Sequence, residues 1–125
     1  MKIGLDVHGV CTEAPEFFSL ISKLLKENNC EVHIITGKRV SDGAIDEIKA
    51  LGISYTHFFS IADYHSENGT NMWDDENGTP WLDDETWNRT KGDYCSRNNI
   101  DFHIDDTERY REFFKTPFAF INIKK

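Results

Sequence analysis

The chain has 125 residues, enough for one domain with a single core, and 38% hydrophobic against 29% charged residues is the balance of a globular protein. A net charge of −8, with Lys38-Arg39 and Lys124-Lys125 as the basic clusters, makes a nucleic-acid partner an unattractive reading. No apolar run approaches the ~20 residues that span a bilayer, and the first residues lack the apolar stretch of a secretory signal, so a cytoplasmic protein without membrane contact is expected.

Met1–Leu5 reads as a short buried strand that runs into Asp6-Val7-His8-Gly9-Val10. A carboxylate at the end of an apolar strand, with a Gly three positions on, is hard to explain by packing. Ligands of open α/β sheets bind outside the carboxyl ends of the strands. Asp6 is therefore read as a nucleophile aimed at a phosphate. Pro15 opens a helix, and Phe17, Phe18, Ile21, Leu24 and Leu25 recur at helical spacing, which predicts that they face the sheet. Cys30 to Ile35 is a second strand that stops at Thr36-Gly37-Lys38-Arg39. Ser41 or Asp42 is expected to cap a second helix ending at Gly52, and Ile53 to Phe59 to form a third strand. Short turns linking strand, helix and strand predict a parallel sheet with right-handed crossovers.

Residues 60–90 break the pattern. They are acidic and aromatic and contain Trp73, Trp81 and Trp87. Asn68-Gly69 and Asn77-Gly78 are hairpin signals, so a small β-rich, cap-like insert within a single 1–125 domain is expected. The three Asn-x-Thr triplets read as turn and cap chemistry. Asp74-Asp75-Glu76 fails as a calcium loop, because Trp73 stands where the first acid is needed. Thr90-Lys91-Gly92-Asp93 resembles a capping box opening a helix to about Asn98. A strand Ile100–Ile104 then runs into Asp105-Asp106. A short helix Glu108–Phe114 and a last strand Phe118–Ile123 complete the alternation of a doubly wound α/β fold. Cys11, Cys30 and Cys95 form no C-x-x-C pair and read as reduced thiols. His33, His57, His65 and His103 show no ligand spacing.

Parallel strands bring Asp6, Thr36, Lys91, Asp105 and Asp106 to one sheet edge. Carboxylates that close repel and need a cation. Oxygen ligands that also leave room for a phosphate oxygen fit Mg²⁺. The hydroxyl, the ammonium and the Gly37 backbone are expected to hold the other phosphate oxygens. Lys38, Arg39, Trp73 and Trp81 are candidate substrate contacts, each with an equally ordinary role in a solvated turn or a small aromatic cluster.

With these motifs assembled, the chain resembles the haloacid dehalogenase-like phosphohydrolase superfamily over residues 6 to 106. The resemblance implies a three-layer α/β/α Rossmann-like fold with a mainly parallel sheet of about five strands. It implies that Asp6 forms an aspartyl-phosphate, Thr36 bonds the transferring phosphoryl group, and Lys91 neutralises it and fixes Asp6. Asp105 would bind Mg²⁺ with Asp6 and the main-chain carbonyl of His8, and Asp106 would support the metal directly or through water. The departure is His8 itself, where phosphatases of this family usually carry an Asp as general acid and base. Imidazole can do acid–base work. The expectation is a Mg²⁺-dependent phosphatase for a small phosphorylated substrate. The alternatives are a catalytically impaired binding module that retains the site and a phosphatase acting on nucleic-acid ends. A phospho-accepting receiver domain is disfavoured, because Phe58-Phe59-Ser60 offers no acid at the third strand end.

Overall fold

The computed structural model describes residues 1–122. Its strands are β1 (Lys2–Leu5), β2 (Glu31–Thr36), β3 (His57–Ser60), β4 (Trp73–Asp74), β5 (Pro80–Trp81), β6 (Phe102–Asp105) and β7 (Phe118–Phe120). Five of them form a parallel sheet in the order β3-β2-β1-β6-β7, and β4 and β5 form a small antiparallel pair. Helices α1 (Pro15–Glu27) and α2 (Ala44–Ala50) cover one face of the large sheet, and α3 (Ile61–Glu67) and α4 (Asp84–Arg97) cover the other. The fold is a Rossmann-like α/β/α sandwich. Strand alternation builds the two cores. Ile3, Leu5, Val32 and Ile34 pack with Phe18 and Ile48, while Ile35 packs on the opposite face with Ile61, Tyr94 and Cys95.

Several boundaries differ from the sequence expectation. On α1, Phe17 and Leu24 are exposed and Phe18 and Ser22 are buried. The helix meets the sheet along Phe18 and Ser22 because the Ser22 hydroxyl accepts from Ser54 N at 3.0 Å and donates to Ser19 O. Gly43, not Ser41 or Asp42, caps α2, since those two residues belong to a separate helical turn, Val40–Asp42. The last strand is described as far as Phe120, and Ile123 and Lys124-Lys125 lie outside the described residues.

The 60–90 stretch is only partly β. Ser60 caps α3 by accepting from Asp63 N, and Asn68-Gly69 ends that helix. Asn77-Gly78 closes the β4–β5 hairpin, in which Trp73 faces Trp81. Asn88, from the third triplet, is neither turn nor cap: it lies within α4 and accepts from Arg109. Helix α4 starts well before Thr90, where Asp83 accepts from both N and Oγ1 of Thr86. Thr90-Lys91-Gly92-Asp93 is therefore mid-helix. Gly92 is there for close approach, because a Cβ would stand 2.4 Å from the carbonyl oxygen of Phe113. No helix among the described residues is long and apolar enough to cross a membrane.

Candidate active site

β1 lies at the centre of the sheet with β2 and β6 on either side, so Asp6, Thr36 and Asp105 leave the same edge. α4 packs over that edge and carries Lys91 inward. The Lys91 ammonium donates to Asp6 Oδ1 and to Asp105 Oδ2, each at 2.9 Å. All three side chains are buried. Asp105 is the most completely bonded. Its Oδ2 also faces His103 Nε2 at 2.9 Å, and its Oδ1 accepts from the backbone N–H groups of Asp106 and Thr107. His103 and Asp105 are two apart on β6 and share a face. The His103 ring is buried against Phe114 and Phe118, and its Nδ1 has no hydrogen-bond partner among the described residues.

One ammonium between two buried carboxylates leaves excess negative charge. Burial pushes the Asp6 carboxyl up to about 7, with Lys91 opposing and Asp105 adding to the rise. Burial would raise Asp105 as well, but Lys91 and the His103 bond outweigh it and hold Asp105 well below the usual carboxylate range. Burial alone would discharge Lys91. The two carboxylates more than offset it and keep the ammonium charged. Asp106, half-buried, adds to the rise of the Asp6 carboxyl. Ligand atoms of Asp6, Asp105 and Asp106 lie within 4.8 Å of one another. Asp105 already has four donors, so the oxygens free to take a cation belong to Asp6 and Asp106. A carboxylate pair with surplus negative charge fits a hard divalent ion.

His8 stands apart from this cluster. The wide turn Val7–Cys11 carries its side chain outward, 54% exposed, where Nε2 meets both Glu47 oxygens at 2.7 and 2.9 Å. Lys38 Nζ reaches the same carboxylate at 3.3 Å. Thr36 is buried at the end of β2, and its Oγ1 accepts from Lys38 N. Gly37 is in contact with Trp87, since a Cβ there would meet the ring at 2.8 Å. Cys11, near the cluster, is buried and donates to the Asp6 carbonyl. Burial pushes its thiol up to about 12, which disfavours the thiolate.

Beside Gly37 a cavity of about 580 Å³ opens under the β4–β5 hairpin, lined in part by Lys38, Trp81, Trp87, Arg109 and Tyr110. Trp87 Nε1 donates to the Tyr110 hydroxyl, and the Tyr110 ring lies 5.3 Å from Lys91 Nζ. Tyr110 thus stands between the cavity and Lys91. Arg39 and Trp73 are elsewhere: Arg39 pairs with Asp74, and both line a separate depression on the far side of the hairpin. His103, which shows no ligand spacing in the sequence, bonds Asp105 here, and Glu47 and Tyr110 are further site residues with no motif of their own. The i, i+2 spacing of His103 and Asp105 on a strand was the available signal for the first. Glu47 comes from a helix with no local sign of its partner. The chain matches no protein-family model and no curated protein sequence.

Proposed function

We propose that the protein is a Mg²⁺-dependent phosphatase of the haloacid dehalogenase-like kind, acting through Asp6 on a small phosphate monoester. The observation that supports this best is the buried Asp6–Lys91–Asp105 triad, with Asp106 beside it at the carboxyl edge of a parallel sheet. An Asp6 oxygen attacks phosphorus and the bond to the leaving oxygen breaks, giving an aspartyl-phosphate. Water then attacks phosphorus, frees inorganic phosphate and restores the carboxylate. Lys91 holds Asp6 in place and neutralises charge as the phosphoryl group transfers. Thr36 and the Gly37 backbone are suited to the non-reacting phosphate oxygens. Asp6 and Asp106, with the His8 carbonyl, would hold Mg²⁺. The ion, when bound, supplies Lewis-acid stabilisation of the phosphoryl oxygens and keeps Asp6 ionised. The adjoining cavity, with Trp81 and Arg109 on its wall, suits the rest of the substrate.

The test is phosphate release from an aryl phosphate, with and without Mg²⁺, for the protein and for Asp6→Asn. Loss of release in the variant and in chelator is expected. Undiminished release by Asp6→Asn overturns the assignment. The outward position of His8 favours a second reading, a binding module that keeps the site without turnover. His8→Asp separates the two: in an enzyme it changes the pH–rate profile, and in an impaired module it creates turnover where there was none. The reading as a phosphatase of nucleic-acid ends would show itself by binding lost at moderate salt.

A further inference from the structure

At the amino end of the sheet, away from the carboxylate cluster, three metal-ligating side chains meet. Glu31 and His33 stand two apart on β2 and share a face, and His57 opens β3 opposite His33 in the parallel register. Their ligand atoms lie within 4.8 Å of one another. His33 Nε2 is 2.8 Å from Glu31 Oε1, and His57 Nδ1 is 3.8 Å from the same oxygen. The two imidazole rings stack at 4.1 Å, 3° from parallel. The chemistry proposed for the other edge uses none of these groups.

The geometry points to a second metal site, in which Glu31, His33 and His57 hold a zinc-class cation and leave one position to water. Two imidazoles and a carboxylate are a common zinc ligand set. The site has its supporting hydrogen bond already built. His33 Nδ1 lies 2.7 Å from the Tyr94 hydroxyl, which can either donate or accept. With no metal, the hydroxyl donates to Nδ1 and Nε2–H donates to Glu31. With metal, Nε2 gives its lone pair to the cation, and Nδ1–H donates to the hydroxyl oxygen. Burial of His33 also favours the neutral ring that a ligand must be. Parallel stacked rings do not aim their lone pairs at one point, so one ring must tilt. His57 is the one that can, since its side chain is 49% exposed on an edge strand. A bound ion would tie that edge strand to β2.

The probe is Zn²⁺ alone, in equilibrium dialysis against excess Mg²⁺, which competes for oxygen-only sites and poorly for imidazole. The expected result is one zinc retained per chain, with a raised unfolding temperature. His57→Ala should lose affinity by about tenfold or more, and Tyr94→Phe, which keeps the ring packing, by about tenfold. Asp106→Asn should retain zinc like the parent. His57 and Glu31 are partly exposed, so circular dichroism of His57→Ala and Glu31→Gln should report an intact fold. No zinc retained by the parent protein, or undiminished retention in both of those variants, overturns the site. The readout is metal retention and not turnover, so its failure is separate from failure of the phosphatase reading.

Discussion

Asp6 and His8 are two residues apart and belong to different electrostatic settings. Asp6 is buried and bonded to α4, and through Lys91 it is coupled to β6. His8 is exposed on the turn that follows and bonded to Glu47 of α2, which also holds Lys38. In the first cluster every partner is buried, so charge balance there is a term in folding stability. In the second, water competes for each partner, so the contacts orient side chains and contribute little to stability. Removing one group from each cluster should therefore give unlike results.

The largest effect is expected for Lys91→Met. Removing the cation from two buried carboxylates should cost about 3–5 kcal/mol in urea unfolding at pH 7. A loss below about 1 kcal/mol would mean that the cluster is already relieved by water. The next effect has the opposite sign. Asp6 has a folded value raised from 3.8 to about 7, so the folded state binds its proton more tightly than the unfolded state. That contribution is full below pH 3.8 and is lost as pH rises through 7. Without divalent ions, stability should fall over this window in the parent and not in Asp6→Asn. At pH 7.5 the variant should be more stable by about 2 kcal/mol. Millimolar Mg²⁺ should close the gap by stabilising the parent alone. Equal pH slopes in the two proteins would remove the case for a strained, metal-seeking Asp6.

A smaller effect, about 1 kcal/mol in urea unfolding at pH 7, is expected for His103→Phe. Asp105 loses one of four donors, while an aromatic ring is kept against Phe114 and Phe118. These residues also show what could be read from sequence. The central sheet was legible because its strands are apolar runs that end in Asp6, Thr36 and Asp105, and that order alone brings the charged groups to one edge. Helix α3 was hidden by the acidic, Asn-Gly-rich composition around it, although Ser60 and Asp63 carry the spacing of a helix cap. The start of α4 was misplaced because Thr90-Lys91-Gly92-Asp93 imitates a cap, whereas Gly92 serves close packing on Phe113. The Glu47–His8 contact spans 39 positions between a turn and a helix, and no local pattern encodes it.

That contact gives the smallest effect on stability and the most direct test of His8. Glu47→Gln should leave unfolding within about 0.5 kcal/mol of the parent, as expected for a solvent-accessible pair. Burial would raise the Glu47 carboxyl, but His8 and Lys38 outweigh it and hold Glu47 below its usual range, so the pair is organised as well as exposed. If His8 supplies the proton to the leaving oxygen, Glu47 orients it, and the need for that proton depends on the substrate. An alkyl phosphate leaves as a strong base and requires the proton, whereas an aryl phosphate leaves without much help. Glu47→Gln should then lower kcat by about tenfold on alkyl phosphates, with little change in KM, and by much less on aryl phosphates. Equal losses on both would assign Glu47 to binding through Lys38. No loss on either would leave His8 outside the chemistry, with Asp6 and Lys91 working beside a different proton source.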